Sequence, residues 1–364
     1  MNKEIVSIVV PTYKEAENIP ELVKKLDEAM KNRYCYEIII VDDNSNDGID
    51  KKVEKLQNEK YNVTLKVRTN ERGLSSAVIA GLKISKGDIY LVMDADLSHP
   101  PEKVPEMIDQ ITVNNADFVI GSRFVKGGGA AHFNWFRKLN AWVSKLLARP
   151  FSKATDPMAG FFAFPKHIIE GKYKLLNPLG FKIGLEIIVK GSPKNLQEIP
   201  IQFQERLHGE SKLSLKEQFY YVMHIVRLYE YKYQSLVELI KFSIIGGIGT
   251  IINLFVVFIT FDILNISYMV SIIIGFVVAL TTNFFLNRRF TFANAEDGHI
   301  FKQYAAFSTT CIFGFCINWV ISVSLFKTIP FFQKYYLLTT LIGILCGLIF
   351  NFFGSKFFVF RKKN

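Results

Sequence analysis

GDIYLVMDADLSHPPE, residues 87–102, sets an unbroken apolar run, Ile89–Met93, directly against two aspartates one residue apart. A short apolar run of this kind, bounded by polar residues, reads as a strand buried on both faces, as in a parallel sheet. Alternate side chains of an extended chain share a side, so Asp94 and Asp96 leave the strand end together. Two carboxylates that close repel one another unless a cation lies between them. A hard divalent ion, Mg²⁺ or Mn²⁺, bridging a diphosphate answers that need, because such ions prefer oxygen ligands.

Outward from this stretch, β-type runs alternate with helical patterns. Strands are expected at Ile5–Val10, Glu37–Val41, Val63–Arg68 and Asp117–Ile120, and helices at Glu17–Met30 and Gly73–Leu82. This alternation predicts a largely parallel α/β sheet covered on both faces, with ligands beyond the carboxyl ends of its strands. Three polar clusters follow those strands: residues 11–13, the aspartates 42–43, and Asp94 with Asp96. All three converge on one edge.

The chain of 364 residues is 49% hydrophobic, and this greasiness is concentrated after about Gln234. Four stretches there reach spanning length: about Leu239–Leu264, Tyr268–Leu286, Ala305–Phe326 and Leu337–Phe358. Each holds the roughly 20 apolar residues that a helix needs to cross a hydrocarbon core of about 30 Å. Before them, residues 213–234 place Leu215, Phe219, Val222, Val226 and Tyr229 at helical spacing among Lys216, Arg227 and Lys232. That pattern suits a helix lying in the membrane interface, and equally one packed on the enzyme domain. Residues 1–212, 213–235 and 236–364 are therefore expected as catalytic domain, interface region and four-helix membrane domain.

The net charge of +11 fits anionic lipid or phosphorylated substrates; no zinc-finger, homeodomain or RNP-like pattern points to nucleic acid. Cys35, Cys311, Cys316 and Cys346 lack metal-site spacing. The opening MNKEIVSIVVPTY is strand-like and lacks the features of a signal peptide. Arg288, Arg289 and Lys302 lie after the second span and Arg361, Lys362 and Lys363 at the end, whereas the link between the first two spans has no Lys or Arg. Basic residues collect on the cytoplasmic side, so both termini and the catalytic domain are expected in the cytoplasm of a multi-pass cell-membrane protein.

The apolar half also repeats itself. NFFLNRRFTF (283–292) is echoed by NFFGSKFFVF (351–360), and KFSIIGGIGTIIN (241–253) by the stretch ending at Asn318. A parallel duplication with an approximate two-fold axis along the membrane normal is the expected consequence.

Taken in order, SIVVPTYKEAENI (7–19), IIIVDDNSNDG (38–48), RTNERGLSSAVIAGL (68–82) and GDIYLVMDADLSHPPE resemble an inverting family-2 glycosyltransferase of the Rossmann-like GT-A fold. GSRFVKGG (121–128), WFRKL (135–139), DPMAGFFAF (156–164), NPLGFKIGLEIIVKG (177–191) and RLHGESKL (206–213) resemble the dolichol-phosphate mannose synthases. The apolar remainder resembles the GtrA-like membrane domain, whose Asn-Phe-x-x-Asn-Arg-x-x-Thr-Phe signature is matched at Asn283–Phe292.

The resemblance implies that Pro11, Tyr13, Glu15, Val41 and Asp43 hold the base and ribose of a nucleotide sugar. It implies Asp94, Asp96 and Ser98 as metal residues that also border the nucleotide sugar, and the backbone at Ala95 as a wall of the donor site. Arg123, Arg206 and Lys212 would clamp phosphates, Arg137 with Arg206 would meet a lipid phosphate, and Asp156 would approach the sugar. Asp96, Arg123 and Asp156 are thus the implied catalytic set. Ser98 departs from the family's glutamine near the metal; a water or His99 could fill that place, and a hard ion disfavours the latter.

The implied reaction moves mannose from GDP-mannose to dolichyl or another polyprenyl phosphate, with inversion. A UDP-sugar-dependent synthase of polyprenyl-phosphate glucose, or of another hexose, is the alternative. A membrane scaffold with a degenerate transferase domain is disfavoured by the intact Asp94, Asp96, Arg123 and Arg206. A processive polysaccharide synthase is disfavoured because no Gln-x-x-Arg-Trp-type motif is present.

Overall fold

The structure is a computed structural model describing residues 4–129, 135–177, 179–203, 215–292 and 298–360. It divides into two units, Met1–Lys232 and Tyr233–Asn364.

The first unit runs β1 (Ile5–Thr12), α1 (Ile19–Met30), β2 (Cys35–Asp42), α2 (Ile49–Asn58), β3 (Val63–Val67), α3 (Leu74–Ile84), β4 (Ile89–Val92), α4 (Val104–Thr112) and β5 (Phe118–Ser122). It continues with α5 (Trp135–Ala148), β6 (Phe162–Pro165), α6 (Ile183–Gly191), β7 (Leu196–Pro200) and α7 (Leu215–Lys232). The strands form one sheet in the order β3-β2-β1-β4-β6-β5-β7. Val6, Ile8 and Val10 of β1 face one side with Leu22, Leu26, Val53 and Met107 from α1, α2 and α4. Val9, Ile39, Val41 and Val92 face the other with Ala77, Val78 and Ile187 from α3 and α6. Burial on both faces explains why these strands read as continuous apolar runs rather than alternating ones.

The sheet is parallel but for β6, which runs antiparallel to β4 and β5. Val92 at the end of β4 pairs with Phe162 at the start of β6. The reversal therefore brings the segment entering β6, Asp156–Phe161, to the edge where the parallel strands end. Strands β6 (FAFP) and β7 are elements that the alternation of apolar runs did not disclose. Helix α1 begins at Ile19, two residues later than its apolar pattern suggested. Asn18 Nδ2 donates to Glu15 Oε2 at 2.6 Å, which holds the preceding turn. Pro20 then occupies the first helical turn, where its missing N–H costs nothing.

Helix α7 packs within this unit. Tyr221 and Tyr229 donate from their hydroxyls to the carbonyls of Ser144 and Leu147 at 2.9 and 3.3 Å. Trp135, Trp142 and Leu146 of α5, with Phe219, Val222 and Val226 of α7, are exposed. Helix α7 is thus packed within the catalytic unit and leaves some apolar side chains exposed.

The second unit contains α8 (Gln234–Phe258), α9 (Tyr268–Leu286), α10 (Ile300–Thr328), the short α11 (Pro330–Lys334) and α12 (Tyr336–Gly354). Among the described residues three helical segments are long and apolar enough to cross a membrane: Gln234–Ile263, Ile300–Thr328 and Ile342–Val359. Helix α9 is a further apolar helix of 19 residues. The duplication is visible in space. Each repeat closes its last helix with a π-helical turn, Asn287–Thr291 after α9 and Ser355–Val359 after α12. Phe242 packs on Phe352 at 5.8 Å, and the equivalent pair, Phe307 on Phe284, is also at 5.8 Å. Phe292 and Phe360, matching positions of the two repeats, stack on each other at 4.8 Å. Repeat one touches repeat two as two touches one, the relation that a two-fold axis imposes.

Candidate active site

Four loops meet at the carboxyl edge of the sheet. After β4 the chain turns through Leu97, whose φ of 59° lies in the left-handed region. This turn lets Ser98 fold back on Asp96: its backbone N–H and its hydroxyl donate to Asp96 Oδ1 at 3.1 and 2.6 Å. Ser98 is fully buried, so its hydroxyl aims the second aspartate of the pair rather than standing at the surface. Asp94 is the more open of the two, its side chain 30% exposed against the buried Asp96. Gly160 lies against it; a Cβ there would come to 3.4 Å from Asp94 Oδ2.

His99 lies beside the two carboxylates, its Nδ1 engaged with backbone. Its Nδ1 accepts the Asp94 backbone N–H at 3.1 Å, and its ring stacks on Phe161 at 5.2 Å. Burial pushes its pKa below the ordinary imidazole value, with Asp94 and Asp96 pulling the other way. An accepting Nδ1 requires the unprotonated nitrogen, which agrees with that direction. His99 braces the turn that carries the carboxylates.

Asp156 arrives from the segment leading into β6 and meets Arg123, which follows β5. Arg123 Nε donates to Asp156 Oδ2 at 2.7 Å and Nη2 to Oδ1 at 2.9 Å, and the Arg123 backbone N–H adds a third bond at 3.2 Å. Glu198 of β7 fixes this segment from behind, accepting from the N–H groups of Thr155 and Asp156 and from the Thr155 hydroxyl. Glu198 was not evident from sequence because its partner lies 42 or 43 residues away and only the pairing of β7 with β5 joins them.

The β1 and β2 ends supply the flank. Asp42 accepts from Thr12 Oγ1 at 3.1 Å and from the Ser45 N–H at 2.8 Å, tying the two strand ends together. Asp43 is ion-paired with Arg68, whose Nε donates at 2.8 Å, and its Oδ2 takes the Gly73 N–H at 2.7 Å. Its carboxylate thus organises the loop into α3, and Arg68 is a participant that the sequence pattern did not single out. Asn44, Asn46 and Gly48 take positive φ values (55°, 52° and 85°), as the NSNDG turn demands of residues that tolerate the left-handed region. Tyr13 lies under the Arg72 guanidinium, 4.0 Å from ring centroid to carbon. Pro11, Val41 and Ala95 are buried behind this edge, and Glu15 holds Asn18.

Of the expected site residues, Arg206 and Lys212 lie outside the described residues, as does the side chain of Arg137 on α5. Pro11, Tyr13, Glu15, Val41, Asp43, Asp94, Ala95, Asp96, Ser98, Arg123 and Asp156 all belong to the strand ends and loops of the one edge. Among the described residues no group of three His, Cys, Asp or Glu forms a ready-made metal cage. Two carboxylates with the rest of the shell left to water and diphosphate is how Mg²⁺-type ions are usually held, so the donor set fits such an ion.

The family model for glycosyl transferase family 2 matches residues 7–171, and that for the GtrA/DPMS transmembrane domain matches residues 241–362. A dolichol-phosphate mannosyltransferase from Pyrococcus furiosus is 37% identical over 98% of this chain and 98% of its own length. The chain belongs to the dolichol-phosphate mannosyltransferase family. Relatives with that description from Mycosarcoma maydis and Saccharomyces cerevisiae are 40% and 39% identical over 62% of this chain, covering 80% and 88% of their own lengths. The first unit is thus a GT-A-type glycosyltransferase domain, the second a GtrA-type membrane domain, and the protein is a membrane-bound glycosyltransferase. A solved glucosyl-3-phosphoglycerate synthase from Mycobacterium tuberculosis overlays 63% of this chain and 80% of its own, with a TM-score of 0.47 and 14% identity, a likeness too distant to bear on substrate.

Proposed function

We propose that this transferase moves mannose from GDP-mannose to a polyprenyl phosphate at the cytoplasmic membrane face, inverting the anomeric centre. The observation that carries the reading is the 37% identity to a dolichol-phosphate mannosyltransferase along 98% of both chains, membrane unit included. The edge chemistry supports it. A lipid phosphate is anionic near neutral pH and attacks without a general base. One of its oxygens forms the new bond to the anomeric carbon while the bond from that carbon to the diphosphate oxygen breaks, the diphosphate leaving with the electron pair. What the enzyme must supply is alignment and compensation of charge on the leaving group.

Asp94 and Asp96 would hold a divalent cation, Mg²⁺ or Mn²⁺, which when bound offsets charge on the leaving diphosphate. Ser98 fixes the orientation of Asp96. Arg123 adds a cation at the same edge, held in place by Asp156, whose two oxygens are both engaged by it. The reaction calls for no base, so a carboxylate with both oxygens engaged in holding Arg123 suits a positioning role. The apolar stripe on α5 and α7 supplies surface suited to the membrane interface, where a lipid acceptor's phosphate resides.

The test is transfer of label into extractable lipid by the solubilised full-length protein with Mg²⁺ or Mn²⁺ and a polyprenyl phosphate. Label from GDP-mannose that vanishes in Asp96→Ala is the expected result. Label from UDP-glucose alone would replace the donor assignment.

A further inference from the structure

Two aromatic side chains flank Arg123. Its guanidinium carbon lies 5.5 Å from the ring centroid of Phe124 and 5.4 Å from that of Phe203. Phe203 follows β7, is partly buried, and meets the His99 ring edge-on at 5.7 Å. Phe124 follows β5 and is 39% exposed. A single exposed phenylalanine is ordinary on a protein surface. What sets Phe124 apart is how firmly it is held and which half of the edge it occupies.

The Phe124 N–H donates to Ser122 Oγ at 3.3 Å, and that hydroxyl lies 3.0 Å from Thr155 Oγ1, which Glu198 anchors. The loop then turns back, the Gly128 N–H donating to the Val125 carbonyl at 2.9 Å. A Cβ on Gly128 would come to 2.7 Å from the Ser122 carbonyl oxygen and 2.9 Å from the Arg123 carbonyl carbon, so the turn demands glycine. Gly129 donates to the Ile201 carbonyl and accepts from the Phe203 N–H, both at 3.0 Å, which joins the loop to the extension of β7. One hydrogen-bonded loop thus positions Phe124, Arg123 and Phe203 together.

The sheet order sets these rings apart from the nucleotide. Tyr13 and Asp43 follow β1 and β2, Asp94 and Asp96 follow β4, and the two phenylalanines follow β5 and β7 at the other end of β3-β2-β1-β4-β6-β5-β7. In the proposed reaction, a nucleotide with its base by Tyr13 and its diphosphate by Asp94 and Asp96 leaves the β5–β7 half open. The nucleophile must reach the anomeric carbon from the side opposite the leaving diphosphate. That approach runs past Phe124. The chain beyond its loop leads to α5, with the exposed Trp135, Trp142 and Leu146.

We propose that Phe124, with Phe203, seats the first isoprene unit of the acceptor and so favours phosphate esters of apolar alcohols over polar ones. The assignment rests on the proposed transfer to a polyprenyl phosphate. The carbons next to that phosphate are apolar, and a phosphate drawn to Arg123 brings them onto the Phe124 ring. Covering the ring with alkyl carbons is favourable in proportion to the apolar area removed from water. Glycerol 3-phosphate carries the same charge but would press hydroxyls against the ring without partners, which is costly. Arg123 answers the charge, and Phe124 tells the two esters apart.

The experiment uses the full-length protein in detergent with GDP-mannose and Mg²⁺. Citronellyl phosphate is the short acceptor, a long polyprenyl phosphate reports the transfer itself, and glycerol 3-phosphate is the polar competitor. Initial rates over acceptor and donor concentration give separate KM values for the parent, Phe124→Ala and Phe124→Leu. In Phe124→Ala the KM for citronellyl phosphate should rise about tenfold or more, with kcat and the KM for GDP-mannose kept. Phe124→Leu, still apolar, should recover most of that loss. The kept donor KM shows that the variant is folded; should Phe124→Ala not fold, Phe124→Gln is read by the same criterion. An unchanged acceptor KM would overturn the seat, as would a donor KM that rises as much as the acceptor KM. Competition by glycerol 3-phosphate at the concentrations at which citronellyl phosphate binds would overturn it too. Mannosyl lipid made from the long acceptor, with no shift in acceptor KM, sinks the seat and leaves the transfer reading standing. Mannose passed to glycerol 3-phosphate and to neither lipid sinks both.

Discussion

Arg123 and Asp156, 33 residues apart, meet as a two-pronged ion pair, Nε to Oδ2 at 2.7 Å and Nη2 to Oδ1 at 2.9 Å, with the aspartate side chain 2% exposed. The pair exists because β6 runs against its neighbours and returns its leading segment to the edge where β5 ends. Glu198 locks that segment from β7. An arginine oriented in this way is pre-organised for a phosphate, since little side-chain freedom remains to be lost on binding.

Replacing Asp156 by Asn should therefore lower kcat/KM by about 10²-fold, because the Arg123 cation loses the carboxylate that fixes it at the leaving group. The shape of the pH–rate profile should not change. If Asp156 were instead a general base, the variant would lose the acid limb of that profile. Initial rates with the lipid acceptor over the neutral range separate the two roles. Glu198→Gln should move kcat in the same direction by a smaller factor, since it holds Asp156 only through the backbone and Thr155.

Ser98 should reveal itself through the metal. Its hydroxyl donates to Asp96 Oδ1 at 2.6 Å, and hydrogen bonds to charged acceptors contribute about 1.5–3 kcal/mol. Ser98→Ala should raise the Mg²⁺ or Mn²⁺ concentration for half-maximal activity by roughly tenfold or more, with kcat at saturating metal largely kept. A curve that does not shift while kcat collapses would mean that Asp96 is not a metal ligand. Chelation should abolish activity in both proteins, and added metal should restore it.

Arg68→Ala should be a stability variant as much as an activity variant. The Arg68 and Asp43 side chains are 6% and 5% exposed, and removing one partner strands a buried charge. Such losses run to about 3–5 kcal/mol. The loop into α3 also loses the bonds from Arg68 to Ser76 Oγ at 2.9 Å and to the Gly73 carbonyl at 3.1 Å. Thermal unfolding should show a clear drop in Tm. A Tm within error of the parent would show that water reaches the pair and screens it.

These three sites differ in how far the sequence disclosed them. The strand ends at Asp42 and Asp94 were legible because strands buried on both faces leave long apolar runs, and aspartates after such runs mark the edge. The turn at Ser98 was legible in principle: a serine two residues after an aspartate is a local hydrogen-bonding pattern that needs no tertiary contact. It was read instead as part of the metal shell because it stands where the family resemblance puts a glutamine. Arg68 and Glu198 were not legible, since each gains its role from strand pairing with a distant segment. The four-residue strand β6 is too short for its period to stand out from the surrounding apolar residues. The duplication was legible because its two halves keep phenylalanine, glycine and asparagine at matching spacing. What those residues share in space, a cluster of crossed aromatic pairs, required the fold.

The same duplication yields a prediction at the chain ends of the membrane unit. Lys356 Nζ lies 2.7 Å from Glu238 Oε2 and donates to Ser235 Oγ at 2.6 Å. At the matching positions of the other repeat, Arg288 Nε donates to Gln303 Oε1 at 2.9 Å. Each repeat sends a basic side chain from its closing π-turn to the first helix of the other, once to a carboxylate and once to an amide. Lys356→Met should destabilise by about 1–3 kcal/mol, below the figure for a fully buried pair because the Glu238 and Lys356 side chains are 10% and 20% exposed. Glu238→Gln/Lys356→Arg rebuilds at this site the pair already present at Arg288 and Gln303, and should recover most of that loss. Thermal unfolding in detergent of Glu238→Gln, Lys356→Arg and the double closes the cycle. If the double loses as much as the singles added together, the two sites are not equivalent in energy, and the two-fold relation is one of backbone alone.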